Sequence, residues 1–130
     1  MNPLTEIISK LEKATGPSRY LDAEIAAAVG LDTGMFIWDG QRNFVGVQNN
    51  ITVPHYTSSI DSALMLVPEG KYWEVAFGLP TPTIKTRYWG QVYGDEDAYD
   101  LAHPICPGAT PAIALCVASL KAIAALRGDK

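Results

Sequence analysis

The C-terminal segment "TPAIALCVASLKAIAALRG" constrains the fold of this chain more than any other part of its sequence. Thr110 suits a helix N-cap, Pro111 suits the first helical position, and Gly128 follows the expected end. Within "AIALCVASLKAIAAL" only Ser119 and Lys121 interrupt an apolar run, so the helix has almost no polar face and is buried on most sides. It lies in the middle of the domain or packs one side against another copy. Its alanines favour close approach of neighbours, and we expect a homo-oligomer.

Length and composition indicate one soluble globular domain that spans residues 1–130, since 48% of the residues are hydrophobic and 18% are charged. The net charge of −4 argues against a broad surface for duplex DNA or RNA, although a few local cations can still hold a small anion. Cys106 and Cys116 are too few for a disulfide framework, so we expect reduced thiols in a cytoplasm. We expect no signal peptide and no membrane span.

Two short amphipathic helices are predicted at the N-terminus. Pro3 suits the first position of the first helix, and Gly16 ends that helix. Pro17, or Ser18 as a cap, begins the second helix, and Gly30 stops it. Each helix has a one-sided apolar stripe, formed by Leu4, Ile7, Ile8 and Leu11 in the first and by Leu21, Ile25 and Val29 in the second.

The middle of the chain has the pattern of two β-hairpins separated by a short helix. "MFIW" and "NFVGVQ" flank Asp39-Gly40 and form the first hairpin, while "KYWEVAFG" and "TIKTRYWGQVY" form the second. Between them, Ser58 and Asp61 have the spacing of a capping box before an apolar stretch. This order of elements predicts an α+β sandwich, a single domain whose mostly antiparallel sheet of about four to five strands is flanked by helices.

No catalytic or metal site is predicted. His55, Ser58 and Asp61 lie close together in the sequence, but the capping box explains the Ser and the Asp, and no nucleophile-elbow motif is present. His103 and Cys106 lie three positions apart without a second Cys nearby, which is a weak zinc signal. We therefore expect no enzyme, no cofactor and no metal. A small nucleotide hydrolase that uses His55 or His103 is the last-ranked alternative.

One predicted strand combines cations with aromatic rings. Alternation along "TIKTRYWGQVY" puts Lys85, Arg87, Trp89, Gln91 and Tyr93 on one face. Cations can hold a phosphate and rings can stack on a base, so this face predicts a site for a nucleotide-like ligand. The alternative is a sheet face whose aromatic residues pack against a helix.

Three predicted helix starts add hydroxyl groups beside free backbone N–H groups, which favour anions. They are "GPSR", "YTSS" and "PGAT", and each of them also serves as an ordinary cap. Together with the strand face they give the candidate ligand-binding residues, which are Arg19, Tyr56, Ser58, Lys85, Arg87, Trp89 and Thr110.

The segments "LEKATGPSRYLDAEIAAAVG", "YTSSIDSALMLVPEG" and "GATPAIALCVASLKA" together resemble a family of short bacteriophage and prophage proteins, the phage ABA-sandwich domain with helix–sheet–helix layers. The resemblance brackets almost the whole chain. It implies a phage-encoded accessory protein in the cytoplasm of an infected host, and it implies no catalytic residues.

The expected function follows from this context. Small phage accessory proteins include sponges for nucleotide signals of host immunity, so we expect a non-enzymatic protein that binds and sequesters a small nucleotide-like immune signal. Subunit interfaces can supply the enclosed pocket that tight binding needs. The alternative is a protein-interaction module that inhibits a host defence protein, with the acidic segment 95–100 as its contact.

Overall fold

The structure, a computed structural model, describes residues 3–30, 36–41, 43–46, 52–77, 88–93 and 106–127. It confirms an α+β protein. The helices are α1 (Pro3–Lys13), α2 (Arg19–Ala28), α3 (Ile60–Leu64) and α4 (Pro111–Leu126), and the strands are β1 (Phe36–Trp38), β2 (Phe44–Gly46), β3 (Tyr72–Phe77), β4 (Tyr88–Tyr93) and β5 (Cys106–Gly108). Within the described ranges, no helix combines the length and the apolar character needed to cross a bilayer.

Helix α4 lies at the centre of the protein, which is the first of its two predicted arrangements. Every residue from Ala112 to Leu120 is buried, and the helix packs against α1, α3 and all three strands β3, β4 and β5. The Thr110 hydroxyl caps the helix by accepting the Ile113 N–H at 3.0 Å, which confirms the predicted start. Other elements of the same chain cover this apolar surface. The buried part of α4 therefore does not indicate self-association, and the homo-oligomer stays a prediction.

The described strands form two antiparallel sheets. β1 pairs with β2 in a two-stranded sheet, and the second sheet has three strands in the order β3-β4-β5. Both predicted hairpins are therefore confirmed, whereas the single continuous sheet of the predicted sandwich is not. No sequence pattern indicates β5, because Pro107 and Gly108 are poor strand formers.

The turn of the first hairpin depends on Asp39 and Gly40. The Asp39 carboxylate accepts the N–H groups of Gln41 at 2.8 Å and Asn43 at 3.1 Å. Gly40 has a φ of +85°, which is a conformation that side chains disfavour. The Asp-Gly pair therefore indicates this turn because of its conformation and hydrogen bonds, and the loop between Trp38 and Phe44 is longer than two residues.

The cap of α2 is Ser18 as predicted, but the cap of α3 lies one position later than predicted. The Ser59 hydroxyl accepts the Ser62 N–H at 3.3 Å, so the predicted capping box of Ser58 with Asp61 is wrong. The N–H groups of Ser58 and Ser59 both donate to one carbonyl oxygen of the preceding turn. The buried hydrogen bonds of Thr57 to Asp22 hold that turn in place, so α3 begins one residue later than predicted.

Two glycines let α4 lie directly on the three-stranded sheet. A Cβ at Gly90 would lie 3.0 Å from the carbonyl carbon and oxygen of Ala114. A Cβ at Gly108 would lie only 2.4 Å from the Ala114 backbone nitrogen. At these two points, sheet backbone and helix backbone are in contact with no side chain between them.

We expect Gly108→Ala to reduce the free energy of unfolding by about 1–3 kcal/mol, because the new methyl group meets backbone atoms that can move only with the whole helix. Gly16→Ala is the control, since a Cβ there meets no atom within 4 Å and its φ is not left-handed. Urea unfolding followed by circular dichroism measures both variants. A Gly108→Ala protein as stable as the parent would contradict this close contact.

Candidate functional site

Arg19 fastens the first turn of α2 to the loop that precedes α3. Its Nη1 donates to the Asp22 carboxylate at 2.6 Å and to the Pro54 carbonyl at 3.0 Å. Its Nη2 donates to Asn43 Oδ1 at 3.1 Å and to the Val53 carbonyl at 2.7 Å. One guanidinium therefore bridges a helix, the first hairpin and a loop.

The Asp22 carboxylate continues this network on its other oxygen. Its Oδ1 accepts both the backbone N–H and the hydroxyl of Thr57, each at 2.8 Å. The Thr57 hydroxyl also accepts the Ser18 N–H at 2.9 Å. The Asp22 side chain is 1% exposed and the Arg19 side chain 18%. A carboxylate this far from water is stabilised only while its partners stay in place.

The same loop is also tied to α4. The Thr110 hydroxyl donates to the Thr57 carbonyl at 3.2 Å, and the Cys116 thiol donates to the Tyr56 carbonyl at 3.2 Å. The Tyr56 side chain is buried, and this burial raises the pKa of its hydroxyl to about 12. We call the set of Ser18, Arg19, Asp22, Thr57 and Thr110 the buried polar network.

Three of the predicted ligand-binding residues are thus used inside the fold. The terminal nitrogens of Arg19 already donate to the chain itself, and the Thr110 hydroxyl is both a cap and a donor. The Tyr56 ring is 1% exposed, so it offers no face for stacking. A phosphate that bound Arg19 or Thr110 would have to displace contacts that hold α2 and α4 to the loop.

The other four predicted residues have different positions. Ser58 is exposed on the turn before α3, and Trp89 is half-buried in β4. Lys85 and Arg87 lie outside the described residues, so the cationic half of the predicted strand face stays a prediction.

The three-stranded sheet has one face towards α4 and a second face directed away from it. Gly90 faces α4, so alternation places Trp89 and Gln91 on the opposite side. The antiparallel register aligns Trp89 with Ala76 and Gln91 with Glu74. We call this second surface the outer sheet face, which consists of Tyr72, Glu74, Ala76, Trp89, Gln91, Tyr93 and Pro107.

Aromatic rings dominate the outer sheet face. The rings of Tyr72 and Tyr93 stack with their centroids 5.9 Å apart and an interplanar angle of 29°. Trp89 lies at the other end of the face, between Ala76 and Pro107 on the neighbouring strands. Tyr72 is 52% exposed, and none of these three rings belongs to the described hydrophobic core around α4. Trp89 and Tyr93 are half-buried and Gln91 between them is buried, so only part of each ring is left for other contacts.

A second exposed aromatic cluster lies on the first hairpin. The Phe44 ring contacts the Tyr20 ring of α2 at a centroid distance of 5.5 Å and the Trp38 ring at 5.0 Å. Tyr20, Trp38 and Ile37 are all exposed. These contacts, together with the Arg19–Asn43 hydrogen bond, hold the hairpin against α2 and leave an apolar surface outside it.

Tyr72 and Glu74 of the outer sheet face and Asp22 of the buried polar network are among the residues that the predicted ligand-binding set does not include. Tyr72 and Glu74 alternate in "KYWEVAFG", which places them on one face, but their alignment with β4 depends on a register that alternation does not give. Asp22 lies three positions after Arg19 on α2, and this spacing brings helical side chains together. That spacing was the available signal for the ion pair.

Reactive groups are few among the described residues. His55 is exposed, and no group of three or more His, Cys, Asp or Glu side chains in the described ranges is arranged to hold a metal ion. Cys106 and Cys116 are buried, and burial raises the pKa of both thiols, so neither is activated as a nucleophile. His103 and the acidic segment 95–100 lie outside the described residues, and the absence of a catalytic residue stays a prediction.

Comparisons with known proteins give no family assignment. No protein-family model, no curated protein and no solved structure matches the chain. The resemblance to phage sandwich proteins therefore stays a prediction.

We expect Arg19→Ala to reduce the free energy of unfolding by roughly 3 kcal/mol, because it leaves the buried Asp22 carboxylate without its ion partner. Arg19→Lys keeps the charge but not the planar fork that reaches several acceptors, so it should restore only part of the loss. Urea unfolding measures both variants.

The control for this experiment is Lys10→Ala, which removes the exposed Lys10–Glu24 ion pair, 2.8 Å long, and should leave stability little changed. If Arg19→Ala were as stable as Lys10→Ala, the buried polar network would not have the structural role assigned to it, and Arg19 would be free to serve a ligand.

Proposed function

We propose that this chain is a non-enzymatic binding protein that holds a small nucleotide-like ligand on the outer sheet face. The observation that carries this proposal is the presence of three rings, those of Tyr72, Tyr93 and Trp89, on one sheet face outside the core. Stacking of a base on an aromatic side chain is worth about 1–3 kcal/mol. Two ring positions therefore supply useful affinity without any reactive group.

The spacing of the rings favours a ligand with two planar groups. The stacked tyrosine pair and Trp89 are separated by four residues along β4, which corresponds to roughly 13 Å. A ligand with two bases, or with a base and a second planar group, spans this distance. Lys85 and Arg87, which the alternation places on the same face, are proposed to hold its phosphates.

The wider setting is proposed from the phage resemblance. The protein would act as a phage-encoded accessory protein in the host cytoplasm, where binding withdraws an immune signal from its receptor. A homo-oligomer would help, because a second copy placed over the exposed part of the outer sheet face, around Tyr72 and Glu74, would enclose the ligand in a pocket.

A specific observation favours a second candidate function, which is inhibition of a host defence protein by direct contact. Tyr20, Ile37 and Trp38 expose apolar surface on the first hairpin, and such surfaces are used in protein interfaces. A small nucleotide hydrolase that uses His55 or His103 remains the third-ranked proposal.

A thermal-shift screen against cyclic dinucleotides, cyclic trinucleotides and ADP-ribose tests the binding proposal. A ligand at a thousandfold excess over its Kd adds about 4 kcal/mol of stability by mass action, so one class should raise the Tm strongly. Tyr72→Ala and Trp89→Ala should remove most of this shift. The ligand should be recovered intact after denaturation of the protein.

Trp73→Ala is the matched control, because Trp73 is next to Tyr72 and similarly exposed, 45% against 52%, but alternates to the other face of β3. It should keep the full ligand shift. An equal loss in Trp73→Ala would contradict the assignment to the outer sheet face. The absence of any shift would favour the protein-interaction candidate, and recovery of a cleaved product would favour a hydrolase.

A further inference from the structure

The outer sheet face has one carboxylate between its two ring positions. Glu74 on β3 is aligned with Gln91 on β4. On one side of this pair, along the strands, lie Tyr72 and Tyr93. On the other side lie Ala76 and Trp89. Residues two apart on one strand are separated by roughly 7 Å, so the Glu74 carboxylate is within side-chain reach of a base stacked at either end. Glu74 is exposed and has no ion-pair partner within the described ranges.

An ionised carboxylate can only accept hydrogen bonds, and its two oxygens accept best from two parallel N–H donors. Among the common bases, guanine alone has two adjacent donors, N1–H and N2–H, on its Watson–Crick edge. Adenine and cytosine have a ring nitrogen acceptor beside their amino group, and uracil has carbonyl oxygens on both sides of its single N–H. These acceptors are repelled by a carboxylate, so one carboxylate beside a ring distinguishes guanine from the other bases.

We propose that the outer sheet face selects guanine nucleotides, with Glu74 accepting the two Watson–Crick donors of a guanine that stacks on the neighbouring rings. The proposal rests on the function proposed above and names the base that this surface prefers. Gln91, which is aligned with Glu74 and buried, has a neutral side chain, so it adds no second negative charge close to an anionic ligand.

The test is calorimetric titration of the full chain with GMP, IMP and AMP, which carry the same ribose phosphate. IMP keeps N1–H but lacks the 2-amino group. GMP should bind about tenfold more tightly than AMP, which is the discrimination expected of one bidentate pair, and IMP should lie between them. The ratio of affinities is the readout, because the repulsion between the phosphate and the protein's net charge is common to all three ligands.

Glu74→Gln makes the experiment specific, because a carboxamide offers one donor and one acceptor, the pattern that matches adenine. This variant should lose the preference for GMP over AMP while Tyr72→Ala weakens both ligands alike. Glu69→Gln, which changes the same charge at an exposed position outside the outer sheet face, should keep the preference.

The possible failures are distinguishable. If all three nucleotides bind equally to the parent and are lost in Tyr72→Ala, the binding face stands and the guanine preference is overturned. If the preference for GMP persists in Glu74→Gln, Glu74 does not read the base. If none of the three nucleotides binds the parent, the guanine preference is overturned, and the proposed function is overturned with it when the thermal-shift screen also gives no shift.

Discussion

Arg19 and Asp22 form an ion pair largely removed from water, and two other parts of the chain, the first hairpin and the loop before α3, complete it. The pair lies in α2, Asn43 belongs to the first hairpin, Val53 and Thr57 belong to the loop before α3, and that loop is bonded in turn to the start of α4. A buried charge without partners is costly, so none of these elements can move away alone. Because of this coupling, Arg19 and Thr110, which the sequence indicates as anion-binding residues, stabilise the fold instead.

The sheet is organised by a different constraint, which is the close approach of α4. Gly90 and Gly108 have no side chains, so the backbone of α4 packs directly on the backbone of the three-stranded sheet. The alternation of β4 then directs Trp89 and Tyr93 to the other face, where they do not join the core. Stability and the proposed binding function consequently depend on different residues, and the two can be mutated separately.

The sequence predicts most of the helices because their signals are local. The caps at Ser18 and Thr110 and the apolar stripes of α1 and α2 act within a few residues. The start of α3 and the role of Arg19 could not be predicted in this way, because the Thr57–Asp22 contact joins positions 35 residues apart. Similarly, alternation identifies the residues that share a face of β4, but the alignment of Glu74 with Gln91 is a property of the folded sheet. Strand β5 forms by pairing with β4 despite its weak propensity.

The indole N–H signals of the chain's 3 tryptophans allow the most direct test, because Trp38, Trp73 and Trp89 report on three different surfaces. The measurement is a titration of isotope-labelled protein with GMP, followed in the ¹H–¹⁵N correlation spectrum, with each signal assigned from its loss in the corresponding Trp→Phe variant. We expect the Trp89 signal to shift progressively to saturation while the signals of Trp38 and Trp73 stay in place. A shift of the Trp38 signal alone, or no shift of any of them, would contradict a nucleotide site on the outer sheet face.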